Sequence, residues 1–126
     1  MRTYLPDGRA VVWAAPHEAG TAHAVDAEPA YARVSSRLAR RVGSDDPVVV
    51  WTLWTRAEVI AKLFDLPLLS WLAWPGLMPP AALADQVALR TILVPDDATG
   101  GIRVTCGTVG SLTNSNAAGV VPTALL

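Results

Sequence analysis

Two adjacent acidic residues, Asp96 and Asp97, follow the apolar stretch RTILVP and could do metal chemistry. Neighbouring carboxylates supply the oxygen ligands that hard cations such as Mg²⁺ prefer. The same pair precedes ATGG, and a run of Asp and Gly is also typical of a tight turn. The pattern therefore leaves two interpretations open: a metal or phosphate site at Asp96 and Asp97, or a turn alone.

Thr52 is the second candidate, because it lies in VVVWTLW, a run that is apolar without alternation. Such a run is typical of a strand buried on both faces of a parallel sheet. In open parallel sheets, ligands collect beyond the carboxyl ends of the strands. A hydroxyl and a carboxylate pair at neighbouring strand ends could bind phosphate together with Mg²⁺. We therefore expect Thr52 to contact phosphate near Asp96 and Asp97.

The remaining reactive side chains form weaker patterns. Four potential ligands lie within ten residues, His17, Glu18, His23 and Asp26. Their spacing does not match two His at positions i and i+4 of a helix, so a solvated loop is favoured over a metal site. Cys106 is the only cysteine, which excludes an intrachain disulfide and is consistent with a reducing cytoplasm. A catalytic thiol would need a paired His, and the spacing identifies none.

Four of the five tryptophans fall in one stretch of 28 residues, at Trp51, Trp54, Trp71 and Trp74. Large aromatic side chains commonly fill cores and line their rims. They also provide platforms on which bases or other flat ligands stack. Both interpretations remain open at this stage.

Turn-forming residues divide the chain into alternating strands and helices. Strands are predicted at residues 9–15, 48–54, 90–95 and 101–106, and helices at 29–43, 55–64 and 79–89. The spacing of Thr55 and Glu58 predicts a capping box at the second helix. Residues 17–29 are predicted to form a loop, 68–75 a short extended segment, and 107–126 a loop with a short helix. The arginines of the first helix are expected on a solvated face, with phosphate contacts as the alternative: Arg33, Arg37, Arg40 and Arg41.

This order of elements predicts an α/β fold with a small, open, mainly parallel sheet flanked by helices, a Rossmannoid arrangement. The strand at 48–54 is expected in the centre, between residues 11–13 and 92–94. At 126 residues, we expect the chain to be one domain, residues 1–126.

Composition narrows the classes of partner. The chain is 52% hydrophobic and only 17% charged, which suggests surface hidden by a protein partner or in a homo-oligomer. Its net charge of −1 gives no general attraction to nucleic acid or acidic membranes. The apolar run at 59–73 is interrupted by Lys62, Asp65 and Pro67, whereas a membrane-spanning helix needs about 20 mostly apolar residues. We therefore expect a cytoplasmic protein without a membrane segment.

The segment VVVWTLWTRAEVIAKLFDLPLLSWLAWP resembles the middle of a subgroup of the haloacid dehalogenase-like (HAD) superfamily. In that subgroup an apolar strand ends in Trp near a Thr, and an Ala-containing helix, Leu-Pro and Trp-Pro follow. RTILVPDD is similar to the last metal motif of the family, and RVTCGTVGSLT is similar to the strand and turn after it. The likeness covers residues 48–113, about half the chain.

The resemblance implies a phosphate-handling domain with Mg²⁺ at Asp96 and Asp97, and phosphate at Thr52 and Arg90. Its substrate would be a phosphorylated small molecule or a nucleic-acid end. The family nucleophile is an Asp-x-Asp pair, and Ala14 and Pro16 stand at those positions here. Since phosphoryl transfer through a covalent intermediate needs that carboxylate, the resemblance implies a degenerate, weak or inactive pseudoenzyme. The alternative is a non-enzymatic interaction or assembly subunit of a larger complex.

Overall fold

A computed structural model describes residues 1–110 and the backbone of residues 124–125. Two short 3₁₀ turns, Ser70–Ala73 and Pro75–Leu77, lie between the second and third helices. In chain order the strands and helices are β1 (Arg2–Tyr4), β2 (Ala10–Trp13), β3 (Ala22–Pro29), α1 (Ser36–Val42), α2 (Pro47–Leu63), α3 (Ala81–Ala84), β4 (Val87–Val94), β5 (Ile102–Val109) and β6 (Ala124–Leu125).

The two sheets that the described residues form are antiparallel. One has the order β1-β2-β6 and the other the order β3-β5-β4. The prediction of a mainly parallel, Rossmannoid sheet is therefore wrong. Parallel neighbours need a long crossover, whereas β4 and β5 are joined only by the turn at residues 95–101. In the second sheet, Thr105 of β5 lies between Asp26 of β3 and Thr91 of β4.

The predicted central strand is the first half of a helix. Asp46 caps α2 by accepting a hydrogen bond from the Val48 amide (2.9 Å), and Pro47 occupies the first turn. The helix is covered on one side by the β3-β5-β4 sheet and on another by the 3₁₀ turns, so its apolar residues are not confined to one stripe. An apolar run of this length is ambiguous between a buried strand and a buried helix. Thr55 lies in the middle of α2 and is not its cap.

Other predicted boundaries are corrected in the same way. The first helix contains only Ser36–Val42, with Ser35 as its N-cap, and it ends at Gly43 as expected. The predicted loop at 17–29 contains β3, the extended segment at 68–75 contains the 3₁₀ turn Ser70–Ala73, and the helix at 79–89 is limited to α3. The strands predicted at 9–15, 90–95 and 101–106 are confirmed as β2, β4 and β5. Of the predicted tail, residues 111–123 and 126 lie outside the described residues.

Buried apolar side chains form two clusters on either side of the structure. The first lies between the β1-β2 hairpin and the face of the β3-β5-β4 sheet that points away from α2. It includes Val11, Trp13, Val25 and Val104. The second packs α2 against the 3₁₀ turns, with Ala57, Ala61, Trp71 and Leu77 buried. Within the described residues, no helix combines the length and the apolar character needed to cross a bilayer.

Candidate functional site: a charged groove at the end of α2

Asp96 forms a structural ion pair at the point where the predicted metal site was expected. Its carboxylate accepts two hydrogen bonds from the guanidinium of Arg9, at 2.6 and 3.0 Å. The amide and hydroxyl of Thr99 also donate to it, at 3.0 and 2.6 Å. Hydrogen bonds from Arg9, and to a smaller extent from Thr99, hold the pKa of Asp96 well below its usual range. The carboxylate thus joins the β1-β2 turn to the β4-β5 turn.

The other predicted phosphate and metal residues do not converge on Asp96. Asp97 is exposed, and the Thr52 hydroxyl donates to the Val48 carbonyl within α2 (2.7 Å). Arg90 is exposed and precedes Thr91, whose side chain is on the face that α2 covers, so Arg90 projects from the opposite face. Among the described residues, no group of three or more His, Cys, Asp or Glu side chains could hold a metal ion.

The potential ligands at residues 17–26 are also separated. The His23 ring lies 3.1 Å from the Thr108 hydroxyl and packs edge-to-face on Trp13, with ring centroids 5.2 Å apart. Asp26 is three residues further along β3 and points to the other face of the sheet, towards α2. Cys106 is buried, and desolvation raises the pKa of its thiol to about 11. A thiol with this pKa stays protonated near neutral pH and is a poor nucleophile.

Three of the clustered tryptophans pack on one another. The rings of Trp51 and Trp54 are 5.7 Å apart and those of Trp54 and Trp71 are 4.5 Å apart, both edge-to-face. The Trp51 indole also donates to the Ala32 carbonyl (2.9 Å). These contacts connect α2 to the segments on both sides of it and favour the core interpretation over a stacking platform.

An ion pair between β3 and α2 joins a buried carboxylate, that of Asp26, to Lys62, whose side chain is 37% exposed. The Asp26 side chain is only 4% exposed. Its Oδ1 atom accepts hydrogen bonds from the Lys62 ammonium (3.1 Å) and from the Thr3 hydroxyl (3.3 Å). Lys62 also donates to the Val25 carbonyl (3.0 Å) and lies 3.7 Å from the Glu58 carboxylate. The pair therefore connects the hairpin, the sheet and the helix at one point.

Carboxylates gather around this ion pair. Burial raises the pKa of Asp26 to about 6, because desolvation outweighs the attraction of Lys62. Burial also raises the pKa of Glu28 to about 7. Repulsion from Asp26, and to a smaller extent from Glu58, contributes to this increase. Asp26 and Glu28 are two residues apart on β3, so they share the face that α2 covers. Sequence reasoning missed this group because it assigned residues 17–29 to a loop.

A groove opens beside Lys62, where α2 ends and the next segment turns away. It has a volume of about 240 Å³. Its charged lining is Glu58, Lys62 and Asp65, and its apolar wall includes Leu68 and Leu69, which are 86% and 45% exposed. The wall is held in an unusual conformation, because Asp65 and Leu69 have φ of 50° and 60°. The left-handed backbone conformation costs roughly 1–2 kcal/mol for each non-glycine residue. Favourable contacts elsewhere in the fold therefore offset the strain in this segment.

Lys62 has little capacity left for a ligand in this groove. An ammonium group has three N–H donors, and two of them are taken by Asp26 and the Val25 carbonyl. The Glu58 carboxylate lies 3.7 Å from the same ammonium. The carboxylates of Glu58 and Asp65 outnumber the single cation in the lining, so the groove presents negative charge beside an apolar wall.

Comparison of the chain with protein-family models, with curated proteins and with solved structures finds no match. The resemblance to the HAD superfamily therefore stays a prediction, and the antiparallel sheets do not have the parallel arrangement that it implies.

Proposed function

We propose that this chain is a non-enzymatic interaction module whose groove takes a lysine or arginine side chain of a partner protein. The observation that carries the proposal is the composition of the groove, which is lined both by the apolar side chains of Leu68 and Leu69 and by the carboxylates of Glu58 and Asp65. Lys and Arg have apolar stems and charged heads. The stem would pack on the leucines while the head pairs with the carboxylates.

The size of the groove favours a side chain over a cofactor. Sites for small molecules typically enclose roughly 300–1,000 Å³ and bury most of the ligand. This groove has about 240 Å³ and is open to solvent. A nucleotide would extend well beyond it, whereas one long side chain with an apolar neighbour would fill it.

Its charge disfavours a phosphate ligand. A phosphate would face Glu58 and Asp65, and the Lys62 ammonium is already bonded to Asp26. Catalysis by Asp26 is also disfavoured, because its carboxylate is only 4% exposed, is paired with Lys62 and does not line the groove. Phosphate handling, which the HAD resemblance implies, has no supporting geometry among the described residues and stays a prediction.

The proposal can be tested with a blocked Leu-Arg-Leu tripeptide titrated into isotopically labelled protein. We expect shifts of the Leu68 and Leu69 methyl resonances in NMR spectra, and none with Leu-Glu-Leu or with inorganic phosphate. Asp65→Lys should abolish the shifts, because it reverses the charge of an exposed lining residue. Asp97→Lys makes the same change at an exposed turn outside the groove and should leave them intact.

Two results would contradict the proposal. Equal shifts with the Arg and Glu peptides would show that charge does not select the ligand. Shifts that persist in Asp65→Lys would place the binding site elsewhere on the protein.

A further inference from the structure

The outer edge of β4 is open among the described residues. The strand is at one end of the order β3-β5-β4, and no described strand pairs with its other side. At the opposite end of the sheet, β1 lies against β3, where Thr3 donates to Asp26. An open edge presents a row of unpaired N–H and C=O groups that can pair with another strand.

The sequence of β4 lacks the usual protection against such pairing. Proteins commonly block exposed edges with charged residues, prolines, bulges or very short strands. β4 is eight residues long, VALRTILV, and Arg90 is its only charged residue. It has no proline, its register with β5 is continuous, and the Leu93 side chain is 44% exposed. Leaving this edge in water would expose both backbone polar groups and apolar side chains.

We propose that β4 pairs antiparallel with β4 of a second copy of this chain, forming a dimer with a continuous six-stranded sheet. A two-fold axis perpendicular to the sheet preserves its faces, so α2 would cover the same side in both copies. With the axis at Thr91, Leu89 of each copy faces Leu93 of the other, and Ala88 faces Val94. Such apolar cross-strand pairs stabilise antiparallel sheets.

The self-complementarity of this register favours a second copy over an unrelated strand. Arg90 then lies opposite Ile92 and not opposite the Arg90 of the other copy, so no like charges meet in the strand pair. Arg56, which donates to the Thr91 hydroxyl (3.4 Å), lies near the axis in both copies. Salt screens repulsion between two such cations, so we expect the dimer to be at least as stable at high salt as at low salt.

Sedimentation of the full chain over a range of concentrations tests the proposal. We expect a monomer–dimer equilibrium that Leu93→Lys weakens by roughly tenfold or more, because each copy brings a lysine into the strand pair. Met78→Lys is the matched control, since it places the same charge at an exposed apolar residue outside both the sheet and the groove. Circular dichroism establishes that both variants are folded. Hydrogen exchange should slow at the β4 amides as the wild-type concentration rises.

Three results would overturn the proposal. A wild-type protein that stays monomeric at all concentrations would show that another segment or a different protein covers the edge. A dimer that Leu93→Lys leaves unchanged would use a different surface. A dimer that dissociates as salt increases would be held by ion pairs and not by strand pairing.

Discussion

The hydroxyl oxygens of Thr55 and Thr105 lie 2.7 Å apart, in the middle of the contact between α2 and β5. Both side chains are fully buried. The Thr105 hydroxyl is also 2.9 Å from that of Thr91, while Thr55 donates to the Trp51 carbonyl at 2.9 Å. These hydroxyls hydrogen-bond to one another across the contact, so they fix the position of the helix on the sheet.

Thr55→Val should lower the free energy of unfolding by about 1–2 kcal/mol, because a buried hydrogen-bonded hydroxyl is replaced by a methyl group of similar shape. Thr52→Val is the control on the same helix. The Thr52 hydroxyl bonds only to the Val48 carbonyl of its own helix, so its loss should cost less than about 0.5 kcal/mol. Urea denaturation measures both values. Equal destabilisation by the two variants would show that the bond to Thr105 contributes nothing.

Several strands could be predicted from sequence, but α2 could not. β2, β4 and β5 are apolar runs bounded by turn residues, and that local signal was sufficient. In α2, the Asp46-Pro47 start signal was present, but a helix apolar on several sides has no single stripe to identify it. Thr55 and Glu58 have capping-box spacing by coincidence. Once α2 was interpreted as a strand, the alternation of strand and helix predicted a parallel sheet that the chain does not form.

The ion pair of Asp26 and Lys62 beside the groove was beyond sequence reasoning for a different reason. Asp26 and Lys62 are 36 positions apart, and only the packing of β3 on α2 brings them together. The local signal was limited to Glu58 and Lys62, an ordinary i, i+4 helix pair. By contrast, the predicted pair Asp96 and Asp97 had a turn as its open alternative, and the bonds of Asp96 to Thr99 support that interpretation.

Gly107→Ala should destabilise the protein by about 1–3 kcal/mol through overpacking. Gly107 is on the face of β5 that packs against Val59 and Leu63 of α2. A β-carbon there would collide with the Val59 side chain and lie 2.9 Å from Leu89. Gly110→Ala is the control, because its added carbon would meet no atom of the described residues within 4 Å. A similar urea midpoint for both variants would mean that the helix can move away from the strand without cost.

Asp96→Asn should lower the thermal midpoint, whereas Asp97→Asn should leave it nearly unchanged. The first variant weakens two charge-assisted bonds to Arg9, which joins the two turns. The Asp97 side chain is exposed and has no described hydrogen bond. Scanning calorimetry compares the variants with the wild type at low and high salt. The effect of Asp96→Asn should shrink at high salt, because salt screens exposed charges.

The isolated chain should show no Mg²⁺-dependent hydrolysis of a generic phosphomonoester such as p-nitrophenyl phosphate. Covalent phosphoryl transfer needs a carboxylate nucleophile, and the expected positions hold Ala14 and Pro16. The oxygens of Asp96 are already bonded to Arg9 and Thr99. For the same reason, adding Mg²⁺ should not raise the thermal midpoint. Robust turnover that Asp96→Asn or Asp97→Asn abolishes would restore the HAD-type hypothesis.

The stability of the protein should fall as pH rises from about 4 to about 7. Unfolded Asp and Glu have pKa values of about 3.9 and 4.3. In the folded chain, burial raises the pKa of Asp26 to about 6 and that of Glu28 to about 7. Between the unfolded and folded values, the folded chain binds more protons than the unfolded chain, so the free energy of unfolding decreases with pH. For buried Asp26, a shift of two units is on the order of 3 kcal/mol.

The Asp26→Asn variant separates this effect from other titrations. Asn keeps an acceptor for Lys62 and Thr3 but does not ionise, so the variant should lose about half of the slope between about pH 4 and 6, and Glu28 supplies the rest. Asp97→Asn is the exposed control and should follow the wild-type curve. The lowered pKa of Asp96 acts in the opposite direction, since its contribution is lost only as pH falls below about 4. Urea midpoints measured across this pH range give the slope for each variant. An unchanged slope in Asp26→Asn would show that ionisation of the Asp26 carboxylate does not cause the loss of stability.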